Sequence, residues 1–264
     1  MRTLAIPIVA LVLLACKTSP RMKQTGFLDR TVTIESRSYP YVVYVPREWT
    51  PDRSWPVVLF LHGAGERGSD GRRQMQIGAA AAIRSSPERV PALVVLPQAP
   101  AEERWIGPPA DAAMQALEEV VREFRGDRDR IYLTGLSLGG FGTWHLALAN
   151  SGVFAALVPV CGGIVPNGSA PSVRQSPLTA AAPDPYAFTA ERLRSLPIWM
   201  FHGSEDTVIR ASESRKMHEA LRAAGADVQY TELEGVGHNA WDRAYGNAEM
   251  WKWLFSQQRR LPRR

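Results

Sequence analysis

Cysteine is nearly absent: Cys16 and Cys161 are the only two in 264 residues. That excludes a disulfide scaffold, and a chain of this length must instead hold together by burying an apolar core. No C-x-x-C or H-E-x-x-H spacing occurs among the two cysteines and five histidines, so no metal site is expected. Glycines cluster in LFLHGAGERGSDG (Leu59 to Gly71), but no G-K-[ST] follows them, which removes a phosphate-binding loop. A basic face is missing too. The net charge is +5, yet the arginines are interleaved with Asp and Glu, and only the terminal RRLPRR forms a basic cluster. With no RNP or helix-turn-helix signature, nucleic acid is not an expected partner.

Long hydrophobic runs are also scarce. The one candidate, MRTLAIPIVALVLLAC, is apolar from Leu4 to Ala15. It is too short to span a bilayer comfortably and reads as a signal-peptide core behind a short basic start. It closes on L-L-A-C, the pattern of a bacterial lipobox, in which Cys16 would carry the lipid; an ordinary secretory signal cleaved nearby is the alternative. Either way the expectation is an exported protein, in the cell envelope or secreted. The polar KTSPRMKQTG that follows reads as a tether. The expected organisation is therefore signal peptide 1–15, tether 16–26 and a folded domain 27–264. Cys161, in VPVCGG, is left without an intrachain partner and reads as a small buried hydrophobe.

What the chain does have is a series of short apolar strands alternating with helical stretches. Thr31–Ser36 and Tyr39–Pro46 are β-branched and aromatic around a polar turn, an antiparallel hairpin. PVVLFLH, then Ala92–Gln98, Arg130–Leu136, Ala155–Gly162 and Pro197–Gly203, are nearly unbroken apolar runs, as strands covered on both faces are. Asp227–Gly235 is expected to be the last strand. Helices are predicted over Asp111–Phe124, Leu138–Asn150, Ser212–Gly225 and Ala240–Phe255. This order implies an α/β domain with a mostly parallel central sheet of about eight strands and helices on both faces. Ile164–Pro185, rich in Pro, Ser and Ala, is expected to be an irregular excursion over the site.

The chemistry centres on IYLTGLSLGGFGTWH, where Ser137 stands between Gly135 and Gly139. A chain that leaves a strand and enters a helix at once must turn sharply on the serine, and flanking side chains would collide. The turn lifts the hydroxyl clear of the sheet and aims helix-start N–H groups at whatever binds there. A serine needs a base, and the base needs an orienting carboxylate. FHGSEDTVI supplies Asp206 after one strand, and EGVGHNAW supplies His238 after the next. Glu205 and Asp242 are the competing acids. His62 and His202, each ending a strand before glycine, read as structural; His145 and His218 lie on helices. Oxyanion donors are expected from the N–H groups of Leu138, next to the nucleophile, and Ala64, in the glycine-rich loop.

Taken together, LFLHGAGERGSDG, LPQAP followed by Trp105, IYLTGLSLGGFGTWHLA, FHGSEDTVI and GVGHNAWDRAY resemble the α/β-hydrolase superfamily. The resemblance is nearest to its secreted carboxylesterases and predicted peptidases related to dienelactone hydrolase, phospholipase/carboxylesterase and feruloyl esterase-like enzymes. It covers about Thr31 to Phe255. It implies Ser137 as nucleophile, Asp206 and His238 as its partners, and no cofactor. One departure limits it: dienelactone hydrolases proper use cysteine where this chain has Ser137, so their substrate does not carry over. The expected activity is a serine carboxylesterase whose substrates are small-molecule esters or aryl, feruloyl or acetyl esters of polysaccharide. Trp105, Trp144 and Trp241 are candidate aromatic walls, with core packing the alternative for Trp144. Two other functions fit the same residues: a serine peptidase of this fold, or a ligand-binding envelope lipoprotein without catalysis.

Overall fold

The computed structural model describes residues 24–166 and 174–259. Eight strands form one sheet: β1 Gly26–Ile34, β2 Arg37–Val45, β3 Trp55–Leu61, β4 Leu93–Pro97, β5 Gly126–Leu136, β6 Ala156–Val160, β7 Ile198–Gly203 and β8 Val228–Leu233. The helices are α1 Gly78–Ser85, α2 Pro108–Glu123, α3 Leu138–Ala149, α4 Pro177–Ala180, α5 Pro185–Leu193, α6 Ser212–Ala223, α7 Trp241–Gly246 and α8 Ala248–Ser256. Strand order is β1-β2-β4-β3-β5-β6-β7-β8. β1 and β2 run antiparallel to their neighbours, and every pair from β4 to β8 is parallel. This is the α/β-hydrolase fold.

Burial explains the unbroken apolar runs. Every residue of β3, β4 and β6 is buried, because helices cover both faces. Successive residues then serve opposite cores. Trp55, Val57, Leu59 and Leu61 pack with α2 and α3, while Val58 and Phe60 pack with α1, α7 and α8. The edge strand β1 has solvent on one face and alternates accordingly.

The differences from the sequence expectations have local causes. β1 begins at Gly26, the last residue of the expected tether. The expected helix from Ala240 to Phe255 is two helices. Asn247 breaks it with an extended backbone and accepts the N–H groups of Glu249 and Met250 on its side chain, starting α8 afresh. The excursion is not wholly irregular: α4 starts at a Ser176 cap, and α5 at Asp184, whose carboxylate accepts from Tyr186 and Ala187 ahead of Pro185. That Asp-Pro pair was a readable helix start. α1 was not foreseen; its Gly78 needs a positive φ of 59°, and a side chain there would strike Phe60. The expected signal peptide and Cys16 lie outside the described residues. Among the described residues no helix is long and apolar enough to cross a membrane.

Candidate active site

The three segments singled out in the sequence meet at the carboxyl ends of the parallel strands. Ser137 follows β5 and precedes α3 with φ 53° and ψ −116°, a conformation that costs an L-residue of order 1–3 kcal/mol and is kept only where the surroundings impose it. They do impose it. A Cβ on Gly135 would lie 2.3 Å from the Gly139 carbonyl oxygen, and one on Gly139 would lie 2.0 Å from that of Leu61. Only glycine at both positions lets β5, α3 and the end of β3 pack this closely. The Ser137 N–H is anchored on the Val160 carbonyl at 2.9 Å. Leu138 opens α3, so its N–H has no partner within the helix.

His238 reaches Ser137 from the loop after β8. Its Nε2 lies 2.9 Å from Ser137 Oγ, and its Nδ1 lies 2.7 Å from Asp206 Oδ2. An ionised carboxylate only accepts, so Nδ1 carries the proton and Nε2 is free to accept from the serine hydroxyl. Asp206 is buried, and its other oxygen accepts the N–H groups of Val208 and Ile209, both at 2.9 Å. Burial alone would raise its pKa. The hydrogen bonds from His202, His238 and Ile209 outweigh burial and hold it well below the usual carboxylate range. The competing acids are elsewhere: Glu205 and Asp242 are both exposed.

His202 is more than a strand end. Its Nε2 lies 2.8 Å from the Ile209 carbonyl and 3.2 Å from Asp206 Oδ2. A carbonyl cannot donate, so Nε2 bears the proton, and Nδ1 accepts from the Ser214 hydroxyl at 2.7 Å. The carboxylate thus sits between two histidines. Position alone, a histidine four residues before the acid, was the only signal for this. Cys161 is fully buried with φ 39°, and burial pushes its thiol pKa up. Its Sγ lies within 4.8 Å of an Asp206 oxygen and a His238 nitrogen, so the small core residue expected from the sequence packs beside the Asp206–His238 pair.

Ala64 lies in a single 3-10 turn, Ala64–Glu66, just after β3. The loop around it is stapled to the end of β4. Gln98, 1% exposed, donates from Nε2 to the Glu66 carbonyl at 3.0 Å and to Asp70 at 2.9 Å, and accepts the Gly71 N–H at 2.7 Å. Glu66 itself has a raised pKa through burial beside Gly63.

A pocket opens beside Leu138, walled by Trp105, Ile106, Phe141, Trp144, His145 and Ile164, with Ser176 and Thr179 of the excursion at its edge. His145 Nδ1 is 2.8 Å from Ser176 Oγ, which ties the excursion to α3. Trp105, expected as an aromatic wall, does line the pocket, though it is only 1% exposed and its Nε1 donates to the His62 carbonyl at 3.0 Å. Trp144 is likewise buried. Trp241 is half-buried, its ring edge-to-face with His238 at 5.3 Å.

Among solved structures, a thermostable esterase is 32% identical to this chain with a TM-score of 0.74, the match covering 89% of this chain and 64% of that one. An acylaminoacyl peptidase of Pyrococcus horikoshii is 20% identical with a TM-score of 0.63, covering 91% of this chain and 43% of that one. A ferulic acid esterase is 19% identical with a TM-score of 0.62, covering 88% and 96%. The last two likenesses show the fold alone. The chain therefore spans less than two-thirds of the length of the esterase and under half that of the peptidase. No curated protein matches. The dienelactone hydrolase family matches residues 102–248, a span that takes in Ser137, Asp206 and His238. By that match over more than half its length, and with the fold that carries it, this chain belongs to the dienelactone hydrolase family.

Proposed function

We propose that this protein is a serine carboxylesterase. The observation that carries the proposal is the continuous hydrogen-bonded path from Ser137 Oγ through His238 to Asp206, at 2.9 and 2.7 Å. His238 takes the serine proton as Oγ bonds to the ester carbonyl carbon. The carbonyl oxygen becomes an anion facing the N–H groups of Leu138 and Ala64. His238 then gives the proton to the departing alcohol, leaving an acyl-enzyme. Water attacks it by the same route, releases the acid and restores Ser137. Asp206 stays ionised throughout and steadies the imidazolium that forms.

The pocket beside Leu138 is the proposed acyl site. Trp105, Phe141, Trp144 and Ile164 line it together with Leu138, the residue after the nucleophile, an apolar lining suited to the acyl part of an ester. Trp241, edge-to-face with His238 at 5.3 Å, is the proposed aromatic contact on the other side of the base. Small-molecule esters, or aryl, feruloyl or acetyl esters of polysaccharide, are the proposed substrates. Export with a lipid on Cys16 belongs to the same proposal, and a Cys16→Ser chain should then lose incorporation of labelled fatty acid.

Ser137→Ala should abolish both p-nitrophenyl acetate turnover and labelling by a fluorophosphonate in folded protein. Turnover at the unmodified rate would end the proposal. Peptide amides cleaved as fast as esters would move the assignment to a peptidase.

A further inference from the structure

An oxyanion donor must point the right way as well as stand in the right place. The Ala64 N–H belongs to the same peptide unit as the Gly63 carbonyl. No described peptide bond is cis, and in a trans unit the N–H and C=O point in opposite directions. Whatever holds the Gly63 oxygen therefore aims the Ala64 hydrogen.

That oxygen is held by His62, whose Nδ1 lies 2.6 Å away. The other ring nitrogen, Nε2, accepts the Ala99 N–H at 3.0 Å. Since Nε2 is used as an acceptor, the proton is on Nδ1, and the bond to Gly63 is a donated one. The ring has no freedom to turn. It is fully buried and meets the Trp105 indole edge-on at 4.9 Å, while Trp105 donates to the carbonyl of His62 itself. Burial lowers its pKa to about 4, so it stays neutral and keeps both bonds at ordinary pH. No hydrogen bond joins it to Ser137, His238 or Asp206 among the described residues.

We propose that His62 is a positioning residue for acyl transfer: by gripping the Gly63 carbonyl from the end of β3, it fixes the direction in which the Ala64 N–H meets the anionic oxygen. The inference rests on the serine-hydrolase proposal above and gives this buried histidine a role in that reaction. The Gln98 staples secure the far end of the same loop, so the donor is held in place before the charge develops.

Two substitutions separate aiming from mere packing. The amide nitrogen of asparagine falls near the place of Nδ1 and donates to Gly63, leaving the Ala99 N–H unmatched. The longer glutamine places its oxygen near Nε2, accepts from Ala99 and leaves the Gly63 oxygen free. Each breaks one of two bonds at one buried site. With p-nitrophenyl acetate, His62→Gln should lose about 100-fold or more in kcat with little change in KM, the scale of a lost oxyanion donor. His62→Asn should stay within about tenfold of wild type. Undiminished kcat in His62→Gln overturns the inference, as does a parallel fall of both variants in step with their melting temperatures. The wild-type protein supplies an independent arm. Forming a boronate adduct on Ser137 should shift the proton resonance of His62 Nδ1–H, through the peptide that links it to the bound anion, and an unmoved resonance overturns the inference. Wild-type protein without Ser137-dependent turnover overturns the hydrolase proposal and this inference with it; normal wild-type turnover beside an active His62→Gln overturns the inference alone.

Discussion

Asp206→Asn tests the proton path through a single atom. Oδ1 of Asp206 accepts from two backbone N–H groups, those of Val208 and Ile209. An asparagine must keep its oxygen on that side, since two donors face it and an amide nitrogen cannot accept. Its NH₂ group is then turned toward His238 Nδ1, in place of Oδ2 at 2.7 Å. To accept that donor, His238 has to give up the proton on Nδ1 and carry it on Nε2, where it points at Ser137 Oγ. The ring can no longer take the serine proton. The same NH₂ also faces the Nε2–H of His202, donor against donor. A wrong tautomer of this kind costs about 10⁴ in kcat, or roughly 5 kcal/mol of barrier. The assay is kcat for p-nitrophenyl acetate, with a melting curve and circular dichroism to establish that the variant is folded. There is a second signature. The folded-state pKa of Asp206 lies below its unfolded value, so its ionisation adds stability above the unfolded carboxylate range, and that contribution is lost as pH falls toward the folded value. Asp206→Asn should flatten the acid limb of the stability profile. A folded variant within tenfold of wild-type kcat would refute the reasoning and return Glu205 and Asp242 to consideration.

Further outcomes follow from other sites. Because His62 is neutral in the fold with a pKa near 4 against an ordinary value of 6.5, the unfolded chain binds one proton more between these values. Stability should rise with pH across that window by roughly 3 kcal/mol in all, and urea unfolding of wild type against His62→Asn should show one proton less of pH dependence in the variant. Gly139→Ala should lower stability by at least about 3 kcal/mol or prevent folding, since its Cβ would meet backbone oxygens of Leu61 and His62 at 2.0 and 2.7 Å; Gly246→Ala, with nothing within 4 Å, should melt close to wild type. Glu213, buried on α6, accepts the N–H groups of Ile164 and Val165 and the Tyr186 hydroxyl. Glu213→Ala should cost about 2–4 kcal/mol by stranding buried donors, and should change the preference between acetyl and longer acyl esters, because Ile164 walls the pocket. An unchanged chain-length profile would disconnect that anchor from the pocket.

Much of this was written locally in the chain. Strands buried on both faces must be apolar at every position, so β3, β4 and β6 could be read from composition alone. Ser137 was legible for a related reason: the turn from β5 into α3 leaves no room for a Cβ at Gly135 or Gly139, and that demand appears as a sequence pattern. Asp206 and His238 were legible because the fold places the ends of parallel strands side by side. Elements set by a cap or a close approach were harder. Asn247 divides α7 from α8 although hydrophobic spacing runs on through it, and α1 depends on Gly78 fitting against Phe60.

The sequence by itself determined the order of the strands, the sharp turn on the serine and the serine, histidine and aspartate proposed for the proton path, because each leaves a mark within a few residues of itself. Tertiary structure alone decided how those groups are aimed. The proton positions on His62, His202 and His238 follow from the partners the fold brings to them: the Ala99 N–H, the Ile209 carbonyl and the Asp206 carboxylate. Likewise Trp105 became a buried support through packing against Gly142 of α3. Direction and burial arise from contacts between segments far apart in the chain, and no local pattern of residue types encodes them.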